Sequence, residues 1–133
     1  MAKSIGFHIL FQNGEAKQAM ERYSEIFDDY ALDRLDLYQG NGDGPAGQVK
    51  LADFRVNGQR FVCIDSPIQH EWDMTPGIAP FIECDDDPEL ERLFEALGDG
   101  GTVHMPLGDY GFGRRFGWVE DRFGVSWLLN ISW

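Results

Sequence analysis

The predicted secondary-structure elements occur twice along the chain in the same order, and this repeat constrains the fold more than any other feature. Each half of the sequence predicts one strand, one amphipathic helix and three further strands, which together make a βαβββ unit. Such a unit is a sheet with one helix on one face, so its other face needs a partner or a ligand, or stays in contact with water. The repeat therefore predicts an α+β fold of two similar modules that form a single domain over residues 1–133.

The first module, 5–66, is indicated by apolar periodicity and by one turn. Apolar residues at helical spacing predict its helix, and they are Ala16, Ala19, Met20, Tyr23, Ile26 and Phe27. Asn57-Gly58 is the strongest hairpin signal in the sequence, because a type I′ turn needs positive φ at both positions. The strands of this module are predicted at 5–11, 31–38, 48–56 and 59–65, with a flexible loop at 41–47.

The second module, 78–131, follows a linker, 67–77, that contains two prolines and a glycine. Its helix is expected to have Asp87 as its N-cap and Pro88 at its first position, and Gly98 is expected to end it. Asp121 and Gly124 suit the first and last positions of a type I turn between the last two strands. The strands of this module are predicted at 78–84, 102–107, 114–120 and 125–131.

The composition narrows the range of partners. The formal net charge of −12 argues against nucleic acid, because phosphate neutralisation needs a basic face. The same charge disfavours anionic membranes and is compatible with a cationic or neutral small molecule. No apolar run reaches the roughly 20 residues that cross a bilayer, and the first residues do not resemble a signal peptide, so we expect a cytoplasmic location.

Cys63 and Cys84 lack CxxC spacing and lie in apolar runs, which predicts buried thiols.

The stretch GFGRRFGWVEDRFGVSW, 111–127, begins like a glycine-rich phosphate loop. Three residues separate Gly113 from Gly117, whereas a dinucleotide fingerprint has two there, and no predicted helix follows. We therefore interpret the stretch as a loop and a hairpin. Arg114 and Arg115 are adjacent, so in a strand they are expected to point to opposite faces and not to form one anion clamp.

Three stretches of the sequence resemble the vicinal oxygen chelate superfamily, which includes glyoxalase I, extradiol dioxygenases and bleomycin-binding proteins. The resemblance is closest to its PhnB-like branch, often labelled 3-demethylubiquinone-9 3-methyltransferase-like. The stretches are GFHILFQNGEAKQAMERYSEIF (6–27), SPIQHEWDMTPGIAPFIEC (66–84) and MPLGDYGFGRRFGWVEDRFGVSWLLN (105–130). The resemblance implies a glyoxalase-type fold in which two βαβββ modules form curled mixed sheets around a cavity. It also implies a homodimer and, in many members, a divalent metal in the cavity.

The resemblance places the metal ligands of the superfamily on the first and last strands of each module. His8 matches the first of these positions, and Cys63 or Asp65 matches the second. Ala79 and Leu128 match the other two and cannot bind a metal. A catalytic metal normally has three protein ligands, so we predict no tightly bound metal and no other cofactor. The sequence also has no glycine loop between a strand and a helix that would bind S-adenosylmethionine.

The predicted function is the binding of an unidentified small molecule in the sheet cavity. The residues expected to contact it are His8, Cys63, Asp65, Phe81, Tyr110, Ser126, Leu128 and Asn130. Asp65 has a second interpretation as a turn residue that accepts backbone N–H bonds. The alternative function is an enzyme, such as a lyase, with His8 as general base or ligand of a weak, partial metal site. A third hypothesis is an oligomeric protein that retains no ligand chemistry.

Overall fold

The computed structural model, which describes residues 2–133, confirms the βαβββ order in both halves of the chain. The chain divides into two units, the first ending at Trp72 and the second beginning at Asp73. Each unit holds one helix and one four-stranded mixed sheet. No helix within the described residues is long and apolar enough to span a bilayer.

The first unit contains helix α1 and a sheet in which a parallel pair is extended by antiparallel strands. The bounds are β1 Phe7–Phe11, α1 Ala16–Ile26, β2 Tyr30–Leu37, β3 Val49–Val56 and β4 Gln59–Asp65. The strand order is β1-β4-β3-β2, with β1 parallel to β4 and the other neighbours antiparallel. The predicted hairpin is confirmed, because Asn57 and Gly58 join β3 to β4 with φ values of 52° and 80°.

Helix α1 covers one face of the first sheet. Its predicted apolar stripe is buried from Ala16 to Ile26. Tyr23 of the helix lies over Phe54 of β3 with 6.2 Å between ring centroids, and Phe54 stacks on Phe61 of β4 at 5.3 Å. These rings form the centre of the core between α1 and the sheet.

The second unit repeats the arrangement with a shorter first strand. The bounds are β5 Phe81–Glu83, α2 Asp87–Gly98, β6 Thr102–Gly108, β7 Arg115–Glu120 and β8 Ser126–Ile131. The strand order is β5-β8-β7-β6, with β5 parallel to β8. Strand β5 begins after Pro80, later than the predicted strand at 78–84, because proline has no N–H to donate to a neighbouring strand.

The turn between β7 and β8 is held by a buried aspartate. The N–H of Gly124 donates to the carbonyl of Asp121 at 3.0 Å, as expected for the predicted type I turn. Asp121 Oδ1 accepts from the backbone N–H groups of Phe123 and Val125, and its Oδ2 accepts from the Trp127 indole at 2.9 Å. The carboxylate is only 5% exposed, and these donors compensate for its burial.

The start of α2 differs from the sequence-based prediction. Asp86, not Asp87, is the N-cap, and its Oδ1 accepts from the N–H of Glu89 at 2.9 Å. Asp86 has extended backbone, which an N-cap requires, whereas Asp87 already has helical backbone. The prediction was therefore wrong by one residue in a run of three aspartates.

The expected divergence of Arg114 and Arg115 was also wrong. Both guanidinium groups contact the carboxylate of Asp87, each with a shortest distance of 3.0 Å. Arg114 lies in the loop before β7, where the alternation of a strand does not apply. The two cations therefore converge on α2, and their charges are compensated within the second unit.

Candidate functional site

One face of the second sheet packs against α2. Gly117 marks that face, because a Cβ atom on it would lie 2.4 Å from the Phe94 ring of α2. Side chains alternate along a strand, so Phe116 and Trp118 belong to the opposite face. Strand pairing assigns their neighbours to the same face, which we call the second open face. Its residues are Phe81, Glu83, Phe116, Trp118, Glu120, Ser126, Leu128 and Asn130.

Five of the eight predicted site residues lie at the second open face. Phe81 of β5 pairs with Leu128 of β8, and Ser126 and Asn130 flank Leu128 on the same side of the strand. Tyr110 reaches this face from the loop before β7, where its ring contacts Phe116 edge-on at 6.0 Å.

Aromatic rings surround Phe116 at the centre of this face. Phe116 is buried, with ring centroids of Phe81 and Phe112 at 6.2 and 4.9 Å. The surrounding rings are themselves open to solvent: Phe81 is 53%, Tyr110 42% and Phe112 62% exposed. The face thus presents an aromatic surface that the unit does not bury internally.

Asn130 lies beneath these rings with an incomplete set of hydrogen bonds. It is 1% exposed, and its Nδ2 donates to Glu83 Oε1 at 2.8 Å. The Ser132 hydroxyl donates to Glu83 Oε2 at 2.9 Å, so both carboxylate oxygens are held. Within residues 2–133, Asn130 Oδ1 has no hydrogen-bond partner. A buried acceptor without a donor costs free energy, and such atoms are rare in folded proteins.

A second polar group on this face was not anticipated from the sequence. His104 Nε2 lies 3.2 Å from Glu120 Oε1, and the imidazole lies over Trp118 at 4.5 Å. The Trp118 indole N–H is 3.4 Å from Ser126 Oγ. Alternation along β7 is the sequence signal that places Glu120 on the same face as Phe116 and Trp118. His104 lies where the register of β6 against β7 shifts, so its partners could not be counted from the sequence.

His8 lies on the face of the first sheet opposite α1. It pairs with Val62 of β4, while its neighbour Ile9 is buried on the helix side. Leu10 and Ile64, the next pair on the same face, are also apolar. Partial burial lowers the pKa of His8 below its ordinary value of 6.5, so the imidazole is neutral near pH 7.

Cys63 and Asp65 lie on the other side of the first sheet and do not share a face with His8. Cys63 pairs with the buried Ile9, and burial, with a smaller effect of the Asp65 charge, raises the pKa of its thiol to about 12. Asp65 Oδ1 accepts from the N–H of Ala16 at 3.0 Å, and Oδ2 accepts from the N–H of Val49 at 2.9 Å. The Asp65 carboxylate therefore supplies hydrogen-bond acceptors for the first N–H of α1 and the first N–H of β3.

The charged residues of the first open face, which is the sheet face that carries His8, form ion pairs. Arg60 Nη2 lies 2.8 Å from Asp53 Oδ2, and its Nε is within 3.2 Å of both carboxylate oxygens. Arg55 makes a bidentate pair with Asp33 at 2.7 and 3.0 Å. The charges of these two arginines are thus compensated by aspartates of the same sheet.

The side chains do not fit a resident catalytic metal of the type found in this fold. Next to His8, β4 presents Val62 and Ile64, which are not metal ligands. Phe81 and Leu128 occupy the paired positions on β5 and β8. In the part of the chain that the structure describes, no group of three or more His, Cys, Asp or Glu side chains is arranged to hold a metal ion. A catalytic metal usually requires three such ligands.

Solved structures define the class of protein. The glyoxylase/bleomycin resistance protein/dioxygenase domain from Frankia sp. EAN1pec is 15% identical with a TM-score of 0.68, covering 100% of this chain and 93% of that chain. The fosfomycin resistance protein FosX from Listeria monocytogenes is 13% identical with a TM-score of 0.63, covering 98% and 91%. At these identities the likeness concerns the fold alone, which this chain shares with the glyoxylase/bleomycin resistance protein/dioxygenase domain.

The sequence defines a narrower family within this class. The family model described as 3-demethylubiquinone-9 3-methyltransferase matches residues 3–130, so the chain belongs to this PhnB-like family, as its sequence predicts. The PhnB protein from Bacillus cereus is 37% identical with a TM-score of 0.91, covering 98% of this chain and 100% of that chain. The protein PA1353 from Pseudomonas aeruginosa is 28% identical with a TM-score of 0.82, covering 98% of each. No curated protein matches the chain.

Proposed function

We propose that the chain binds a small molecule on the second open face and does so without a tightly bound metal. The observation that supports this most is the set of exposed rings around Phe116, which adjoins the buried Asn130 with its unpartnered Oδ1. Contiguous exposed apolar surface with a few polar groups is typical of ligand sites. Phe81, Leu128, Asn130, Ser126 and Tyr110 are the proposed contact residues.

Burial of the exposed rings would supply the main attraction for a ligand. An aromatic side chain buries on the order of 150–250 Å² when fully covered, and burial stabilises by roughly 25 cal/mol per Å². Phe81 and Phe112 are each more than half exposed, so a flat apolar molecule would remove a substantial apolar area from water. The exposed Glu83 carboxylate would then orient the ligand through its polar groups.

The fluorescence of Nile red, a neutral apolar dye, tests this proposal. We expect the wild-type protein to bind the dye, and the double variant Phe81→Ala/Phe112→Ala to weaken binding about tenfold because most of the ring surface is lost. The matched control is Leu32→Ala/Leu35→Ala, which removes two exposed leucines, 47% and 40% exposed, from the first sheet. Equal loss in both double variants, or no loss in the first, would contradict the proposed site.

The absence of a resident metal is a separate part of the proposal. Elemental analysis of protein purified without chelators is expected to find far less than one equivalent of any transition metal. His8, with apolar neighbours on its own face, would bind such an ion only weakly. A full equivalent that survives dialysis would contradict this part and favour the enzymatic alternative.

The neutral imidazole of His8 supports a second candidate function, the enzymatic conversion of a small molecule. A neutral imidazole on an apolar face can accept a proton from a bound substrate. Chemical change of a bound molecule, followed by NMR, would support this role if His8→Gln abolished the change and retained binding. Unchanged conversion in that variant would exclude His8 as the base.

The remaining expectations concern assembly and location, and they rest on the family resemblance. We propose a cytoplasmic homodimer. Sedimentation equilibrium is expected to give twice the chain mass of 15.1 kDa. A mass equal to that of one chain at all concentrations would contradict the dimer.

A further inference from the structure

The polar groups available on the second open face are mainly hydrogen-bond acceptors. Asn130 directs its Nδ2 donor to Glu83, and its Oδ1, which has no donor among residues 2–133, is shielded from solvent with Gly113 packed against it. The Glu83 carboxylate accepts one bond at each oxygen, and an ionised carboxylate has room for about four. The backbone carbonyl of Phe112 receives only a long contact of 3.5 Å from Asn130. A ligand that binds the exposed Glu83 carboxylate must therefore donate hydrogen bonds.

The nearby donors of the second unit are already in use. The Trp118 indole N–H is directed at Ser126 Oγ, and His104 Nε2 is directed at Glu120. The guanidinium groups of Arg114 and Arg115 pair with Asp87 on α2. Within residues 2–133, no lysine, arginine or histidine forms an ion pair with Glu83, so the face attracts positive charge and repels anions.

The aromatic rings favour the same kind of ligand. Ring faces carry partial negative charge and attract cations that lie over them. Phe81 and Phe112 present exposed rings close to Phe116, on the face that carries Glu83. The net charge of −12 also attracts cations at long range.

We propose that the ligand of the second open face is an organic cation with N–H donors on a flat apolar body, such as an aryl amidinium or arylammonium ion. This rests on the proposed function and specifies its ligand class. Glu83 receives the cationic N–H groups, and the rings around Phe116 cover the apolar body. The Nδ2 group of Asn130 holds Glu83 Oε1 in place.

Three probes of nearly equal shape test the charge requirement: benzamidinium, benzamide and benzoate. Amide NMR shifts of β5 and β8, and the indole N–H of Trp118, report binding at this face. We expect saturable shifts with benzamidinium, weaker binding of benzamide and none of benzoate. Glu83→Gln is expected to weaken benzamidinium binding about tenfold and benzamide binding by much less, because only the charged probe loses an ion pair with the carboxylate.

The control variant is Glu95→Gln, which removes the same charge from an exposed position on α2. It is expected to leave the benzamidinium affinity unchanged, which separates local recognition from general attraction by the net charge. Equal binding of the three probes at this face, or equal effects of the two variants, would overturn the cation class and leave the proposed function standing. Shifts from none of the three probes at β5 and β8 would overturn both.

Discussion

The open faces of the two sheets differ in chemistry although the two units repeat one topology. On the first open face, Arg60 pairs with Asp53 and Arg55 pairs with Asp33, so charges compensate one another. On the second, the exposed ring of Phe81 adjoins Glu83, which has no ion-pair partner among residues 2–133, and the buried Asn130 Oδ1, which has no donor there. The difference teaches that the repeat conserves the arrangement of strands while the choice of side chains decides the chemistry of each open face.

The helices of the two units are also stabilised differently. The N-cap of α2, Asp86, belongs to the adjacent sequence and accepts from Glu89. Glu15, at the corresponding position of α1, makes no side-chain cap, and Asp65, 49 residues away, accepts from the first N–H of the helix instead. The start of α2 is therefore stabilised by a residue next to it in the sequence. The start of α1 is stabilised by a residue of β4, so it depends on formation of the first sheet.

Thiol reactivity is expected to show the largest difference. Burial raises the pKa of Cys63 to about 12 and that of Cys84 to about 11, with nearby carboxylates adding to the second. At about pH 8 the thiolate fraction is then on the order of 10⁻⁴ for Cys63 and 10⁻³ for Cys84, against about a quarter for an ordinary thiol. Mass-resolved iodoacetamide labelling should modify Cys84 first and Cys63 only on unfolding. Faster labelling of Cys63 in the native protein would contradict the described burial.

The next largest effect is expected on stability, when the carboxylate at the start of either helix is removed. Asp65→Ala leaves the N–H groups of Ala16 and Val49 buried without an acceptor, which is expected to lower the free energy of unfolding by about 3 kcal/mol or more. Asp86→Ala should lower it by only about 1 kcal/mol, the usual cost of losing an N-cap. Urea denaturation measures both. Equal losses would show that the two helix starts do not differ as described.

A smaller effect is expected when the first open face is made to resemble the second. Arg60→Gln leaves Asp53 without its guanidinium partner, so an unpaired carboxylate then lies on the first open face. We expect benzamidinium to shift the β3 and β4 amides a few times more strongly than in the wild type. Arg22→Gln on α1 is the control for net charge. Similar shifts in both variants would mean that pairing on the first open face is unimportant.

The smallest effect concerns the pH dependence of stability. The pKa of His8 is lower in the folded protein than its ordinary 6.5, so the unfolded state binds more protons as the pH falls below that value. The contribution of His8 to stability is therefore present above about pH 6.5 and decreases on acidification. Urea denaturation at a series of pH values should show a shallower decrease for His8→Gln than for the wild type. An identical or steeper profile in the variant would show that burial of His8 is not the cause.

Much of the fold was predictable because it depends on local patterns. Asn57-Gly58 predicted the first hairpin, and the helical stripes predicted both helices. The errors were also local in origin. Three consecutive aspartates offered more than one cap, and Arg114 was assigned to a strand that begins one residue later.

The site was less predictable because it depends on register and on distant partners. Alternation along β8 indicated that Ser126, Leu128 and Asn130 share a face. No pattern in the sequence indicated that Asp65 would bind the start of α1, or that His104 would meet Glu120 across an irregular strand pair. The ligand contacts assigned to Asp65 and to Cys63 came from the family resemblance, and in the structure both side chains face α1.

The sequence by itself determined the repeated βαβββ order, the family and the acidic charge, because these follow from residue patterns and composition along the chain. The tertiary structure alone decided which acceptors have donors. Hydrogen-bond satisfaction depends on distances between residues far apart in sequence, as in the pair Asn130 and Glu83, 47 residues apart. The two open faces therefore differ in how their charged groups are paired. This pairing depends on how the strands pack together and cannot be obtained from the composition.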